Sequence, residues 1–130
     1  MPHVVETQQW GDNLLFWVGD KAIGGKMCVI LNLDSIGVAF PVSPERFAEL
    51  VEIEGIIPAK YLARLSWVST GRWNVLRTAE WHQAFRDAHA ITYAKLPPRT
   101  KAILAQPKTE QRRILAERKK LLAERAARKG

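Results

Sequence analysis

Cysteine is almost absent from this sequence. Cys28 is the single cysteine in 130 residues, so no internal disulfide and no multi-cysteine metal site can form. Long apolar runs are absent too. Stretches such as Met27–Leu31 fall far short of the roughly 20 residues that span a bilayer, which excludes a membrane-spanning helix. The opening MPHVVETQQW has neither the basic start nor the apolar core of a secretory leader. Together these lacks lead us to expect a cytoplasmic protein with no membrane association. Histidine is scarce as well. His82 and His89 are seven residues apart on one expected helix, about 10 Å along its axis, too far for chelation across one turn. His3 lies near the terminus. Partly buried structural roles are the first expectation for His82 and His89, and no metal, no cofactor and no catalytic residue is expected.

Acidic charge is what the last quarter lacks. From Arg99 onward there are 11 Lys+Arg against 3 Asp+Glu, whereas the first 98 residues hold 9 against 10. The whole formal net charge of +7 therefore comes from the tail, and electrostatic reasoning applies to the tail rather than to the body. Apolar content of 47% and charged content of 25% are ordinary for one folded domain.

The central stretch is Ser43–Ser69. Ser43 can cap a helix and Pro44 suits its first position. Phe47, Leu50, Val51 and Glu54 follow at helical spacing, Gly55 supplies a stop, and Pro58 keeps the connector extended. Arg64–Ser69 reads as a strand. Before this stretch, residues 1–10 enter the sheet directly, and NLLFWV ending at Val18 forms a strand. Lys26–Leu33 forms a second, with Met27, Val29, Leu31 and Leu33 on one face and Cys28 and Ile30 on the other. Ile36, Val38 and Phe40 form a third, closed by Pro41. After the central stretch, Thr78 can cap a helix over residues 79–95 whose stripe is Trp81, Phe85, Ala88, Thr92 and Leu96. A short helix covers Arg99–Ala105. Thr109 can cap a last helix from Glu110 to Arg128. Connections this short between strands require antiparallel pairing, so the fold class is α+β, an antiparallel sheet packed by helices. The domain covers residues 1–106, with a basic helical extension over 107–130.

Several patterns could carry chemistry. Residues 19–27, GDKAIGGKM, have a superficial likeness to a phosphate loop. Asp20 stands where the first glycine belongs and Met27 where Ser or Thr must hold the metal, so a hairpin loop is expected. Cys28, mid-strand, is expected to be buried and inert. Glu45, Glu49, Glu52 and Glu54 read as a solvated face rather than an acid–base pair. The five tryptophans, Trp10, Trp17, Trp67, Trp73 and Trp81, are expected to pack first. The other reading is a base-stacking surface, with Trp73, beside Arg72, the best candidate for exposure. In the tail, Arg112, Arg113, Arg118, Lys119, Lys120, Arg125, Arg128 and Lys129 can neutralise phosphates. Glu110, Glu117 and Glu124 recur every seven residues and offer the competing reading, a solvated helix with internal ion pairs.

Pro2–Thr7, Trp10-Gly11-Asp12, Val18-Gly19, Gly25-Lys26-Met27, Ser43–Phe47, Gly55–Ala59, Tyr61-Leu62, Trp67-Val68 and Lys95-Leu96-Pro97 occur in an order that resembles the MmcQ/YjbR family, over about residues 2 to 104. The resemblance implies a CyaY-like α+β domain described as a double-wing DNA-binding motif. Four features differ from the family's pattern. Only Met1 precedes the Pro-His block, where a helix is usual. The Asp20–Gly24 loop is longer. Lys60 stands where proline is common, and the basic helix extends beyond the domain. The expected function is non-catalytic DNA binding through phosphates, by Arg112, Arg113, Arg118, Lys119 and Lys120, with Lys60, Arg64, Arg72 and Trp73 as a secondary surface. The alternatives are a protein-interaction module, whose basic helix docks on an acidic partner or pairs with itself through Leu115 and Leu122, and an enzyme with a pocket between sheet and helix.

Overall fold

The computed structural model describes every residue except 10, 35, 36, 61 and 130. Six strands, β1 (Val4–Gln9), β2 (Asn13–Val18), β3 (Lys26–Asn32), β4 (Gly37–Pro41), β5 (Ile56–Pro58) and β6 (Trp67–Thr70), form one sheet in the order β1-β2-β3-β4-β6-β5. Every neighbouring pair is antiparallel. The helices are α1 (Pro44–Leu50), α2 (Thr78–Ala94), α3 (Pro98–Leu104) and α4 (Lys108–Lys129). The protein is α+β, as the short strand connections require.

α2 crosses one face of the sheet, against β2, β3 and β4. The core lies beneath it, where Val18, Phe40 and Val68 are fully buried and meet Ala88, Leu96, Ile103 and Leu104. Phe40 stands edge-on to both Trp81 and Phe85, with ring centroids 5.8 and 6.2 Å away, the arrangement that aromatic quadrupoles favour. The opposite face carries Leu15, Trp17, Pro41 and Trp67, all buried. The Ala59–Ser66 connector lies over part of that face, with Leu62 near Ile30 and Ala39.

Local chemistry explains the departures from expectation. α1 begins as the sequence predicts: the Ser43 hydroxyl accepts from Arg46 N–H at 3.1 Å and Pro44 occupies the first turn. It ends at Leu50 rather than running to Gly55. Ile53 N–H bonds to the carbonyl of Leu50 and Ile56 N–H to that of Ile53, so the chain turns twice with three-residue spacing. Gly55, at φ +94°, turns the chain into β5. The connector at Pro58 is itself a strand on the sheet edge, the place where a proline's missing N–H is tolerated. β6 starts at Trp67 instead of Arg64, because Ala63–Leu65 form a 3-10 turn closed by Ser66 at φ +61°.

β3 carries a bulge. Phe16 pairs with Val29, but Trp17 pairs with Met27, leaving Cys28 as the extra residue. Cys28 and Val29 therefore both enter the core, and Met27 and Val29 do not share a face as strict alternation predicts. Two helix starts also shift. α2 is capped by Glu80, whose carboxylate accepts from Arg77 N–H at 3.0 Å, and Thr78 lies inside the helix. α4 begins at Lys108, one residue before Thr109.

Candidate nucleic-acid interface

α4 is built in two halves. Its first half docks through Ile114 and Leu115, half-buried against the core cluster. It lies against α3 and against the 3-10 turn Lys21–Ile23, which joins β2 to β3. Polar contacts fix the docking. Gln111 Nε2 donates to the carbonyls of Leu104 and Gln106 at 3.1 and 2.7 Å. Arg118 Nε donates to Ala22 O at 3.4 Å, and Lys119 Nζ lies 3.6 Å from Asp20 Oδ2. The second half, Leu121–Lys129, is exposed throughout and projects about 13 Å beyond the body at 1.5 Å per residue.

The tail cations thus divide by role. Arg113 is held by Glu110 and, at 2.7 Å, by Glu117. This pairing keeps the Glu110 carboxyl below its ordinary range, chiefly through the hydrogen bond from Arg113, and raises the Arg113 guanidinium further. Arg118 and Lys119 reach back to the body. Arg112 and Lys120 are exposed and, among the described residues, have no ion-pair partner. The same holds for Lys108, Arg125, Arg128 and Lys129, of which the overhanging three belong with Lys120 as one cationic projection. At 100° per residue Arg125, Arg128 and Lys129 share one side of the helix, within about 100° of arc, and Lys120 lies about 80° beyond its edge. Together they form a cationic band over about half of the circumference.

The body residues sit elsewhere. Lys60 and Arg64 are exposed on the connector. The Arg72 guanidinium lies over Gly55, about 3.6 Å from where a Cβ would be. Trp73 is 66% exposed, and its carbonyl accepts the Trp81 indole N–H at 2.6 Å. The strand registers place this loop beyond the Gly37 end of β4, whereas α4 docks at the Val18–Lys26 end of β2 and β3. That separation is about 20 Å along the strands and about 14 Å across the sheet. The tail set and the Arg72–Trp73 loop do not form one continuous surface.

The other tryptophans pack. Trp17 and Trp67 are buried and Trp81 is half-buried, while Trp10 lies outside the described residues. His82 is exposed, contrary to the expectation of partial burial. His89 is half-buried, with Nε2 2.7 Å from Pro2 O. Cys28 is buried, and burial pushes its thiol up to about 11. Among the described residues, no group of three or more His, Cys, Asp or Glu is placed to hold a metal, and no helix is long and apolar enough to cross a membrane. The GDKAIGGKM segment is a capped 3-10 turn leading into β3, and the first turn of α3 packs on it through Pro97 and Thr100.

Two clefts escaped the sequence reading because distant segments build them. One, of about 350 Å³, opens between α1 and α2 over Phe40 and is rimmed by Arg46, Glu80 and Asp87. The other, of about 340 Å³, opens between β1 and α4 and is rimmed by Lys108 and Arg112.

These features define an α+β protein with one antiparallel sheet and a partly docked basic helix. No family model matches the chain, and no curated protein matches it. The crystal structure of Deinococcus radiodurans protein DR2400, which carries a DUF419 domain, is similar to it. The TM-score is 0.70 at 22% identity, over 82% of this chain and 81% of that one. At this identity the likeness establishes the fold.

Proposed function

We propose that the chain is an MmcQ/YjbR-type module that binds DNA without catalysis, chiefly through backbone phosphates. The observation that carries this reading is the overhang of α4. Lys120, Arg125, Arg128 and Lys129 are exposed, unpaired among the described residues, and held clear of the body by a docked first half. Long Lys and Arg side chains spread over half of an exposed helix suit phosphates rather than the edges of particular bases. The expected binding is therefore tolerant of sequence and strongly dependent on salt. Arg112 adds a fifth free cation nearer the body. Lys60 and Arg64 precede β6, and Arg72 and Trp73 follow its other end; they belong to separate, weaker contacts.

The test is binding of a labelled generic duplex across a salt series by the full chain and by a Lys120→Gln, Arg125→Gln, Arg128→Gln, Lys129→Gln variant. All four changes are at exposed helical positions, and Gln keeps helix propensity. The full chain is expected to show a slope of log affinity on log salt of about −3 or steeper, at roughly −0.9 per phosphate neutralised. The variant is expected to lose at least two units of that slope.

One observation favours a second reading. Leu121 and Leu122 are 43% and 41% exposed on the same overhang, the combination an acidic protein partner with an apolar stripe would use. Its sign is salt-sensitive protein binding that depends on both leucines.

A further inference from the structure

The cleft between β1 and α4 has an apolar floor and a cationic rim. Ile23, Leu104 and Leu115 contribute to the floor, and Lys108, Arg112 and His3 stand on the rim. Lys108 and Arg112 are one helical turn apart, so their side chains leave the same side of α4 about 6 Å apart. Neither has an ion-pair partner among the described residues. The carboxylate in the cleft, Asp20, is already engaged: Oδ1 accepts from Ala22 N–H at 2.8 Å, and Oδ2 faces Lys119 at 3.6 Å. The rim is therefore left with uncompensated positive charge. His3 is held there in the left-handed region, φ +65°, by Gly19 N–H bonding to its carbonyl at 2.8 Å. This conformation is uncommon outside glycine, though histidine takes it more readily than most residues, and it seats His3 at the cleft.

We infer that this cleft binds a small amphipathic organic anion, an apolar body bearing a phosphate or a carboxylate. Its volume of about 340 Å³ suits a body of two fused rings or a short alkyl chain. The apolar part would rest on Leu104 and Leu115, and the anionic head would meet Lys108 and Arg112. Arg112 offers a planar fork that matches either head group in a bidentate pair, and Lys108 adds a point charge. The inference does not depend on DNA binding: the four overhanging cations do not line the cleft, and Arg112 is the one residue that both readings use.

The experiment uses the full chain and three probes, 1-naphthyl phosphate, 1-naphthoate and 1-naphthylmethylamine, with calorimetry for affinity and methyl NMR shifts for location. Saturable one-to-one binding of at least one anion is expected, with shifts at Ile23, Leu104 and Leu115. Tighter phosphate than naphthoate binding would assign the head group as phosphate, and the reverse would assign carboxylate. Arg112→Gln and Lys108→Gln are each expected to weaken binding at least tenfold, while Arg86→Gln, exposed on α2 and away from the cleft, leaves it unchanged. No saturable anion binding, equal binding of the amine, shifts confined to other methyls, or indifference to both rim substitutions would each overturn the inference.

Discussion

Thr100 connects the body to the helix that carries the charge. It sits in α3, 2% exposed, and its hydroxyl donates to Ile23 O at 2.7 Å. That bond ties α3 to the Lys21–Ile23 turn, where Arg118 and Lys119 also anchor α4. Gly24, next in the turn, passes so close that a Cβ there would lie 2.5 Å from Thr100 Oγ1, so the fit is tight as well as polar. Thr100→Val keeps the shape and removes the donor, leaving the Ile23 carbonyl without its buried partner. Such a loss costs about 1–3 kcal/mol. For a chain of this length, 1 kcal/mol moves Tm by roughly 3–5 °C, so the expected drop is about 3–15 °C. Thr100→Ser retains the donor and loses only a methyl, about 1 kcal/mol. Thermal unfolding followed by circular dichroism should rank the parent above Ser and Ser above Val. A valine variant as stable as the parent would refute the assignment of this bond as the tie between α3 and the turn.

Phe40→Ala removes a fully buried ring that touches Trp81 and Phe85, and denaturant titration should show a loss of about 3–5 kcal/mol. Cys28, buried and pushed up to about 11, is thiolate in only about one molecule in a thousand at pH 8. A thiol reagent should therefore label the native protein far more slowly than the denaturant-unfolded chain. Glu80 lies below its ordinary value of 4.5, first because Arg77 N–H bonds to it and then because the Arg77 side chain does. Its stabilisation of the α2 start is thus fully present above pH 4.5 and lost as pH falls through the lower folded value. Glu80→Gln should cost stability at pH 7 and converge on the parent in acid, as read by melts across pH.

Much of the fold can be read along the chain, because its signals are local. The Ser43-Pro44 start, the Trp81–Leu96 stripe and the two turns flanking NLLFWV each contain their own instruction. What the chain hides is non-local. The bulge at Cys28 becomes visible only once Phe16 and Trp17 find their partners on β3, and it inverts the expected face of Met27. The early stop of α1 follows from β5 pairing with β6, which pulls the chain back toward the sheet. In the tail, composition reveals the charge but not its division. Arg113 spends its charge within the helix, and Arg118 and Lys119 face the Asp20 turn. Arg125, Arg128 and Lys129 are among the tail cations that can neutralise phosphates, yet the expected contacts are Arg112, Arg113, Arg118, Lys119 and Lys120. The signal that favours Arg125, Arg128 and Lys129 is the absence of apolar anchors after Leu122. The cleft between His3 and Arg112 joins residues more than a hundred positions apart, and no motif announces it.

The most direct measurement is the salt dependence of duplex binding by the full chain and by the Lys120, Arg125, Arg128 and Lys129 quadruple Gln variant. A slope of about −3 or steeper that flattens by at least two units in the variant is what a phosphate-binding overhang requires. Absence of binding at low salt, or the same slope in both proteins, would contradict the assignment of DNA binding to α4.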